Sequence, residues 1–144
     1  MNTGSEPPDA LSTQASKRLY SPRQIGGAAF IGSPISAAWL FAQNYGVLGK
    51  PGVGRRALFY GLLGTVALFG LASVLPAKFP KVALPLAQSL AIRELAQRLQ
   101  GSEFKAHLAE GGSSQSNWRV AGVCVAGLAV VLAVAFVVVL LLPT

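Results

Sequence analysis

The chain has 144 residues, 52% of them apolar, and carries 12 Lys and Arg against 5 Asp and Glu, for a formal net charge of +7. Charged residues make up 12%, roughly half the share of an average soluble domain and too few to coat a soluble surface. This composition excludes intrinsic disorder and argues against a conventional soluble domain. Three windows without any charge, 24–49, 57–77 and 120–144, point to an integral membrane protein.

Residues 1–19 are rich in Asn, Thr, Gly, Ser, Pro and Gln. They cannot bury enough apolar surface to offset the entropy of ordering, and a flexible tail is expected. Tyr20 is expected at the headgroup level. Ser21 followed by Pro22 suits a helix start, with Ser as N-cap and Pro at the first helical position. The first window predicts a helix over 24–46. It carries Pro34, several glycines, Gln43 and Asn44. Crossing a hydrocarbon core of about 30 Å takes roughly 20 helical residues. The expected course is therefore a full crossing kinked at Pro34, where neighbouring helices satisfy the freed carbonyl; a re-entrant or tilted course is the alternative. The window is too long for a signal-peptide core and no small-x-small site closes it, so it reads as an uncleaved anchor.

Gly49 to Arg56 reads as a short turn, its glycines and proline breaking helix and its three cations preferring headgroups. A turn this short makes the flanking helices antiparallel neighbours. The second window predicts a helix over 57–76, ending at Pro76. Residues 82–100 then predict an amphipathic helix. At 100° steps, Leu84, Ala91, Ile92, Leu95, Ala96 and Leu99 share one face, and Arg93, Glu94, Gln97 and Gln100 lie on the other. Arg98 sits at the border, and Leu86 and Leu90 fall off the pattern. Glu94 and Arg98 form an i,i+4 pair of the favourable orientation. Only 11 uncharged residues separate Lys81 from Arg93, too few to span. This helix is expected in the interface plane or packed on the bundle, with a soluble connector as the bland alternative. Residues 103–110 form one further short turn or helix, closed by Gly111.

The last helix, expected over 118–142, is the strongest. From Val120 to Leu142 it holds fifteen Val, Leu or Phe residues, which together favour insertion by about −5 to −9 kcal/mol. A buried strand competes on its valine content, but strands are shorter. Ser116 or Asn117 caps this helix, Trp118 anchors it at the interface, and Arg119 snorkels to phosphates. The expected fold is all-α: an integral membrane domain over 20–144, with three transmembrane helices plus one amphipathic interfacial helix.

Cations near helix ends set orientation. With the N-terminus inside, three full crossings place Lys17, Arg18, Arg23, Lys78, Lys81, Arg93, Arg98, Lys105 and Arg119 inside and three cations of the first turn outside. The expectation is N-terminus inside and C-terminus outside, with Arg55 and Arg56 arguing mildly against it. If the first window does not cross, the tally changes. Helices in lipid associate through small residues that let backbones approach. The packing stripes expected here are Ala28, Gly32 and Ser36 on the first helix, Gly61 and Gly64 on the second, and Gly122 and Ala126 on the last. They serve packing within one chain or a seam between copies.

Catalytic, cofactor and metal sites are not expected. One His (His107) and one Cys (Cys124) stand far apart in sequence, whereas metal sites need clustered ligands. His107 reads as an exposed loop residue and Cys124 as an inert buried thiol. There is no Walker-type loop, and Glu94, Glu103 and Glu110 fit a solvated helix face better than paired-carboxylate catalysis. Gln43, Asn44 and Thr65 are polar at membrane depth and read as helix glue before substrate ligands. The positive charge fits basic flanks attracting anionic headgroups; nucleic-acid binding would need a basic soluble module.

The order Tyr20-Ser21-Pro22-Arg23-Gln24, then Gly32-Ser33-Pro34, Asn44-Tyr45, Leu48-Gly49, Phe79-Pro80, Leu84-Pro85-Leu86-Ala87 and Gln115-Ser116-Asn117-Trp118-Arg119 resembles an uncharacterised family of small bacterial multi-pass integral membrane proteins, over roughly residues 19–142. The resemblance implies a bacterial cytoplasmic membrane and carries over no activity or binding residue. The function expected is a non-enzymatic structural or accessory component of a membrane assembly, its partners being anionic membrane lipids, further copies of itself or a larger complex. The alternatives are a subunit of an oligomeric small-solute transporter or channel, and a lipid-binding or membrane-shaping protein acting through residues 82–100.

Overall fold

A computed structural model describes residues 17–141. Five helices are formed: α1 (Pro22–Gly32), α2 (Pro34–Val47), α3 (Pro51–Val74), α4 (Ala83–Ala109) and α5 (Asn117–Leu141). A two-residue parallel pair, β1 (Arg18–Leu19) with β2 (Ser113–Ser114), joins the segment before α1 to the segment before α5. Most of the tail expected over 1–19 lies outside the described residues, as does Leu142. The end of that tail is not free: Leu19 is buried, and its carbonyl accepts from the Gln115 N–H at 2.9 Å.

The first window does not form one long helix. It is divided into α1, of 11 residues, and α2, of 14, and neither reaches the roughly 20 residues a crossing takes. The two fold back on each other. The Asn44 side-chain amide accepts from the Tyr20 N–H at 2.7 Å and donates to the Tyr20 carbonyl at 2.9 Å. On one straight helix those residues would stand about 36 Å apart. The expected kinked crossing is thus replaced by a helical hairpin.

Local chemistry explains where the chain turns. Ser21 and Gln24 form a capping box that starts α1, with Pro22 in the first turn. Pro34 has no N–H and disfavours helical backbone at the residue before it. Ser33 takes φ 110° and ψ 167°, a conformation nearly reserved for glycine and costing a side chain about 1–3 kcal/mol. Ser33→Gly is therefore expected to raise stability by about 1 kcal/mol, after allowing for the extra freedom of glycine in the unfolded chain. A thermal midpoint in detergent that stays put or falls would refute strain at this hinge.

The next helix starts earlier than the sequence indicated. The turn closes at Gly49, with φ 75°, and α3 begins at Pro51, so Arg55 and Arg56 lie within its second turn and not in a loop. Pro51 has no N–H to leave unsatisfied at a first helical position. Helix α3 ends at Val74, two residues before the expected Pro76. It runs antiparallel to α2 at close range: Gly54 faces Ala42, Gly61 faces Ala38, and Gly64 faces Pro34.

Helix α4 corrects the reading of 82–100 in two ways. It does not stop at Gly101 but continues to Ala109, absorbing the separate short helix expected over 103–110. The glycine is buried within it, since Gly is tolerated in a helix interior at about 1 kcal/mol. Its packed face also only partly matches the expected apolar face: Ile92 and Ala96 of that face pack inward, the larger leucines beside them do not. Leu95 and Leu99 are about half exposed, whereas Gln88, Ser89, Ile92, Ala96 and Gln100 lie against α1 and α2. The Gln88 amide donates to the Ala29 carbonyl and the Ser89 hydroxyl to the Gly26 carbonyl, at 2.9 and 2.8 Å. These contacts, with Gly26 tight against Arg93, set α4 antiparallel to α1. The Glu94–Arg98 pair forms on its exposed side at 2.8 Å.

Helix α5 closely follows the expected bounds and runs parallel to α1. The Gln24 amide donates to the Gln115 carbonyl and to Asn117 Oδ1 at one end, and Gly32 meets Cys124 further along. The core is centred on the hairpin, on Ile25, Ala28, Ala29, Leu40, Phe41 and Tyr45, with Ala96 from α4 and Cys124 from α5. The two longest apolar helices, α3 and α5, reach the core along one narrow edge each, through Ala57 on α3 and Val120, Val123 and Cys124 on α5. Only 11% of the most apolar stretch of α3, and 6% of that of α5, is buried. Both are long and apolar enough to cross a membrane.

Candidate functional site

Two features are built at the hairpin: a closed polar seam and an open cleft. The seam begins at Asn44, 2% exposed. Besides its two bonds to the Tyr20 backbone, its Nδ2 donates to Gln100 Oε1 at 2.9 Å, and Gln100 Nε2 donates to the Phe41 carbonyl at 3.4 Å. Asn44 thus acts towards Tyr20 as a neighbouring β-strand would. Next to the seam, Lys50 Nζ lies 2.6 Å from Glu103 Oε1. That hydrogen bond, with the charge of the carboxylate, holds the Lys50 ammonium above its ordinary 10.5. The sign follows: a raised folded-state pKa contributes stability below the ordinary value, lost as pH climbs through the raised one. Both groups are substantially exposed, so the pair is a tether more than a source of stability.

These contacts gather one end of the molecule. The β1–β2 pair, the Asn44–Tyr20 bonds and the Lys50–Glu103 pair bring together the segment before α1, the α2–α3 turn, and the region from Glu103 to Gln115. Ten of the 12 Lys and Arg residues fall at this end or in the half of the hairpin next to it. Lys78 and Lys81, between α3 and α4, belong to the other end.

The cleft, of about 770 Å³, lies between α2 and α5. At the basic end Arg18, Arg119, Gln43 and Gln115 line it; further along, Ile35, Trp39, Val123, Ala126 and Val130 make it apolar. Ser36, 2% exposed, lies on its lining where Gly32 and Gly127 approach, and its hydroxyl has no hydrogen-bond partner. A second cleft, of about 680 Å³, separates α3 from α4 over α2, and its lining is apolar apart from Arg56, Tyr45, Tyr60 and Gln88.

The expected packing residues divide. Ala28, Gly32, Ser36 and Gly61 are buried at helix contacts, and Gly64 stands at 3.8 Å from Pro34 Cβ. Gly122 and Ala126 do not pack within the chain: Gly122 has nothing within 4 Å of a would-be Cβ, and both line the open cleft. Helix α5 instead turns Val120, Val123, Cys124 and Gly127 inward. The spacing of small residues marks several possible faces of a helix; only the partner's shape selects among them. Of the interfacial anchors, Trp118 is 86% exposed and Arg119 is exposed, whereas Tyr20 is buried in the core and not placed at the surface. Sequence reasoning missed Gln24, Gln88, Ser89 and Gln100 as cross-helix donors. The signal available was polar side chains recurring at helical spacing on α4. Thr65 is buried with its hydroxyl on the Gly61 carbonyl at 2.9 Å, while Gln43 is exposed in the cleft.

His107 packs against Gly112 in the turn after α4, and Cys124 is buried and free. Among the described residues no three His, Cys, Asp or Glu side chains group to hold a metal ion. Comparison with protein-family models, curated proteins and solved structures finds no match for this chain.

Proposed function

We propose that this chain is a small multi-pass membrane protein serving as a non-enzymatic structural or accessory component of a membrane assembly. Its basic end faces the cytoplasm and its C-terminus lies outside. The observation that carries this reading is the inverted distribution of polarity. Asn44, Gln100, Ser36 and Thr65 are buried, while Phe59, Leu62, Leu63, Val66 and Phe69 of α3 and Leu128, Leu132 and Phe136 of α5 are exposed. Contiguous apolar surface on this scale has no place in water, whereas in lipid it is the ordinary exterior of a helix bundle, held together by small and polar residues. Helices α3 and α5 cross outward from the basic end. The 27-residue α4 returns between them along the hairpin, with Arg93, Glu94 and Arg98 on its exposed side. The α1–α2 hairpin enters from the basic end and returns to it. The cation tally then favours that end being inside, and Arg55 and Arg56 now join the majority. The placement in a bacterial cytoplasmic membrane rests on the motif resemblance.

A transporter or channel role draws less support: of the three polar side chains expected at membrane depth, Asn44 and Thr65 are occupied by hydrogen bonds within the fold, and Gln43 alone is exposed in a cleft. Lipid binding has an observation in its favour, the cleft that pairs two arginines with an apolar wall. The threading is tested with single cysteines in a Cys124→Ala background. Lys50→Cys and Ser114→Cys are expected to react with an impermeant maleimide from one side of the membrane, and Lys78→Cys from the other. A full crossing by residues 24–46 would put Lys50 and Ser114 on opposite sides, and that result would overturn the hairpin threading.

A further inference from the structure

We infer that the cleft between α2 and α5 is a binding site for one anionic glycerophospholipid of the surrounding leaflet, its phosphate between Arg18 and Arg119 and an acyl chain laid along α5. This rests on the membrane reading above, and four observations support it. The volume, about 770 Å³, lies within the about 300–1,000 Å³ of sites that hold small molecules. Its polarity is divided along its length: both arginines line it at the basic end, with the Gln43 and Gln115 amides beside them, and Val123, Ala126 and Val130 make the wall beyond. From Arg119 to Val130 the wall rises about 16 Å, close to the roughly 15 Å depth of one leaflet. Among the described residues neither arginine is paired with a carboxylate, the two salt bridges being Lys50–Glu103 and Glu94–Arg98.

The lining also contains features that packing alone does not explain. Gln115, at the basic end, has a buried amide oxygen without a partner. Gly122 opens onto empty space in a helix otherwise rich in Val and Leu. A headgroup hydroxyl, such as phosphatidylglycerol carries, donates to the Gln115 oxygen, and an acyl chain fills the space left at Gly122. A neutral headgroup gains less here, because phosphatidylcholine carries its own cation next to the phosphate. Each arginine near an anionic headgroup is worth roughly fivefold in affinity, giving on the order of twentyfold for two.

Trp39 lines the cleft and supplies the probe. In the full chain carrying Trp118→Phe, Trp39 is the only tryptophan left. Reconstituted into phosphatidylcholine vesicles with a few per cent of brominated lipid, its fluorescence is expected to be quenched by brominated phosphatidylglycerol at roughly a twentyfold lower fraction than by brominated phosphatidylcholine. The Arg18→Gln/Arg119→Gln double variant is expected to abolish that preference with unchanged helix content. Gly122→Leu, whose Cβ meets no neighbouring atom within 4 Å and whose branch extends into the open cleft, is expected to fold normally and lose quenching by both lipids at low fraction. Equal quenching by the two lipids in the parent, or a preference that survives the double variant, overturns the proposal. Failure of the chain to reconstitute at all would instead overturn the membrane reading.

Discussion

Replacing Asn44 with leucine is expected to lower stability by about 2–4 kcal/mol, the larger of the two effects at the polar seam. The substitution removes three hydrogen bonds at once. It strands the Tyr20 N–H and carbonyl and the Gln100 side-chain oxygen in a site that is 2% exposed. A buried polar group left without a partner costs about 1–3 kcal/mol. The total stays below the simple sum because partners in a membrane protein's unfolded state are partly replaced. Gln100→Leu should cost only about 1 kcal/mol, since Asn44 keeps both bonds to Tyr20. The two losses should combine less than additively, because both variants break the same Asn44–Gln100 contact. Hydrogen exchange gives the specific readout: the Tyr20 amide should lose protection in Asn44→Leu and keep it in Gln100→Leu. A midpoint change equivalent to less than about 0.5 kcal/mol for Asn44→Leu would show that the hairpin is closed by other contacts.

The second large effect is expected at Gly61. A Cβ built there runs into Ala38 Cβ and stands 3.3 Å from the Pro34 carbonyl oxygen. The obstruction is partly backbone, so α3 must move away from α2 as a whole. Gly61→Leu is expected to destabilise by about 3 kcal/mol or more, at the upper end of overpacking effects. Two neighbours on the same helix supply the contrast. Gly64→Ala should be tolerated and gain a few tenths of a kcal/mol, since its Cβ makes only an ordinary contact at 3.8 Å with Pro34. Gly70→Ala meets nothing within 4 Å and should gain about 0.5–1 kcal/mol from reduced backbone entropy in the unfolded chain. If all three substitutions behaved alike, the close α2–α3 approach would not exist.

The legibility of the fold varied with the kind of information each element carries. Helix α5 could be read almost to the residue, because nothing competes with the long uncharged, apolar run that begins directly after Arg119. The start of α1 was equally clear, since Ser21, Pro22 and Gln24 form a local device whose geometry needs no partner. Helix α4 misled for an instructive reason. Amphipathic analysis assumes that leucines face the core and polar groups face out. On α4 the stripe that packs is instead the one that bonds to neighbouring backbones, Gln88, Ser89 and Gln100. Gly101 looked like a stop, yet the helix runs on to Ala109, next to the Lys50–Glu103 tether.

The cleft was not visible before the fold was known. Arg18 and Arg119 are a hundred positions apart in sequence, and Gly122 and Ala126 have the same spacing as a packing motif. What separates a packing face from an open one is the rotation of α5 about its own axis. Contacts of Cys124 with Gly32, and of Gly127 with Ser36, fix that rotation and leave Gly122 facing outward.

By itself the sequence determined that this is a helical chain with long uncharged segments, where most of those segments begin, and how its cations are spaced, because hydropathy, capping and helix breaking act over a few neighbouring residues. Only the tertiary structure decided that the first segment turns back instead of running through. Proline sets the position of a break but not its direction. That direction was fixed by a bond between Asn44 and a backbone 24 residues away, together with glycines that let three other helices close around the hairpin.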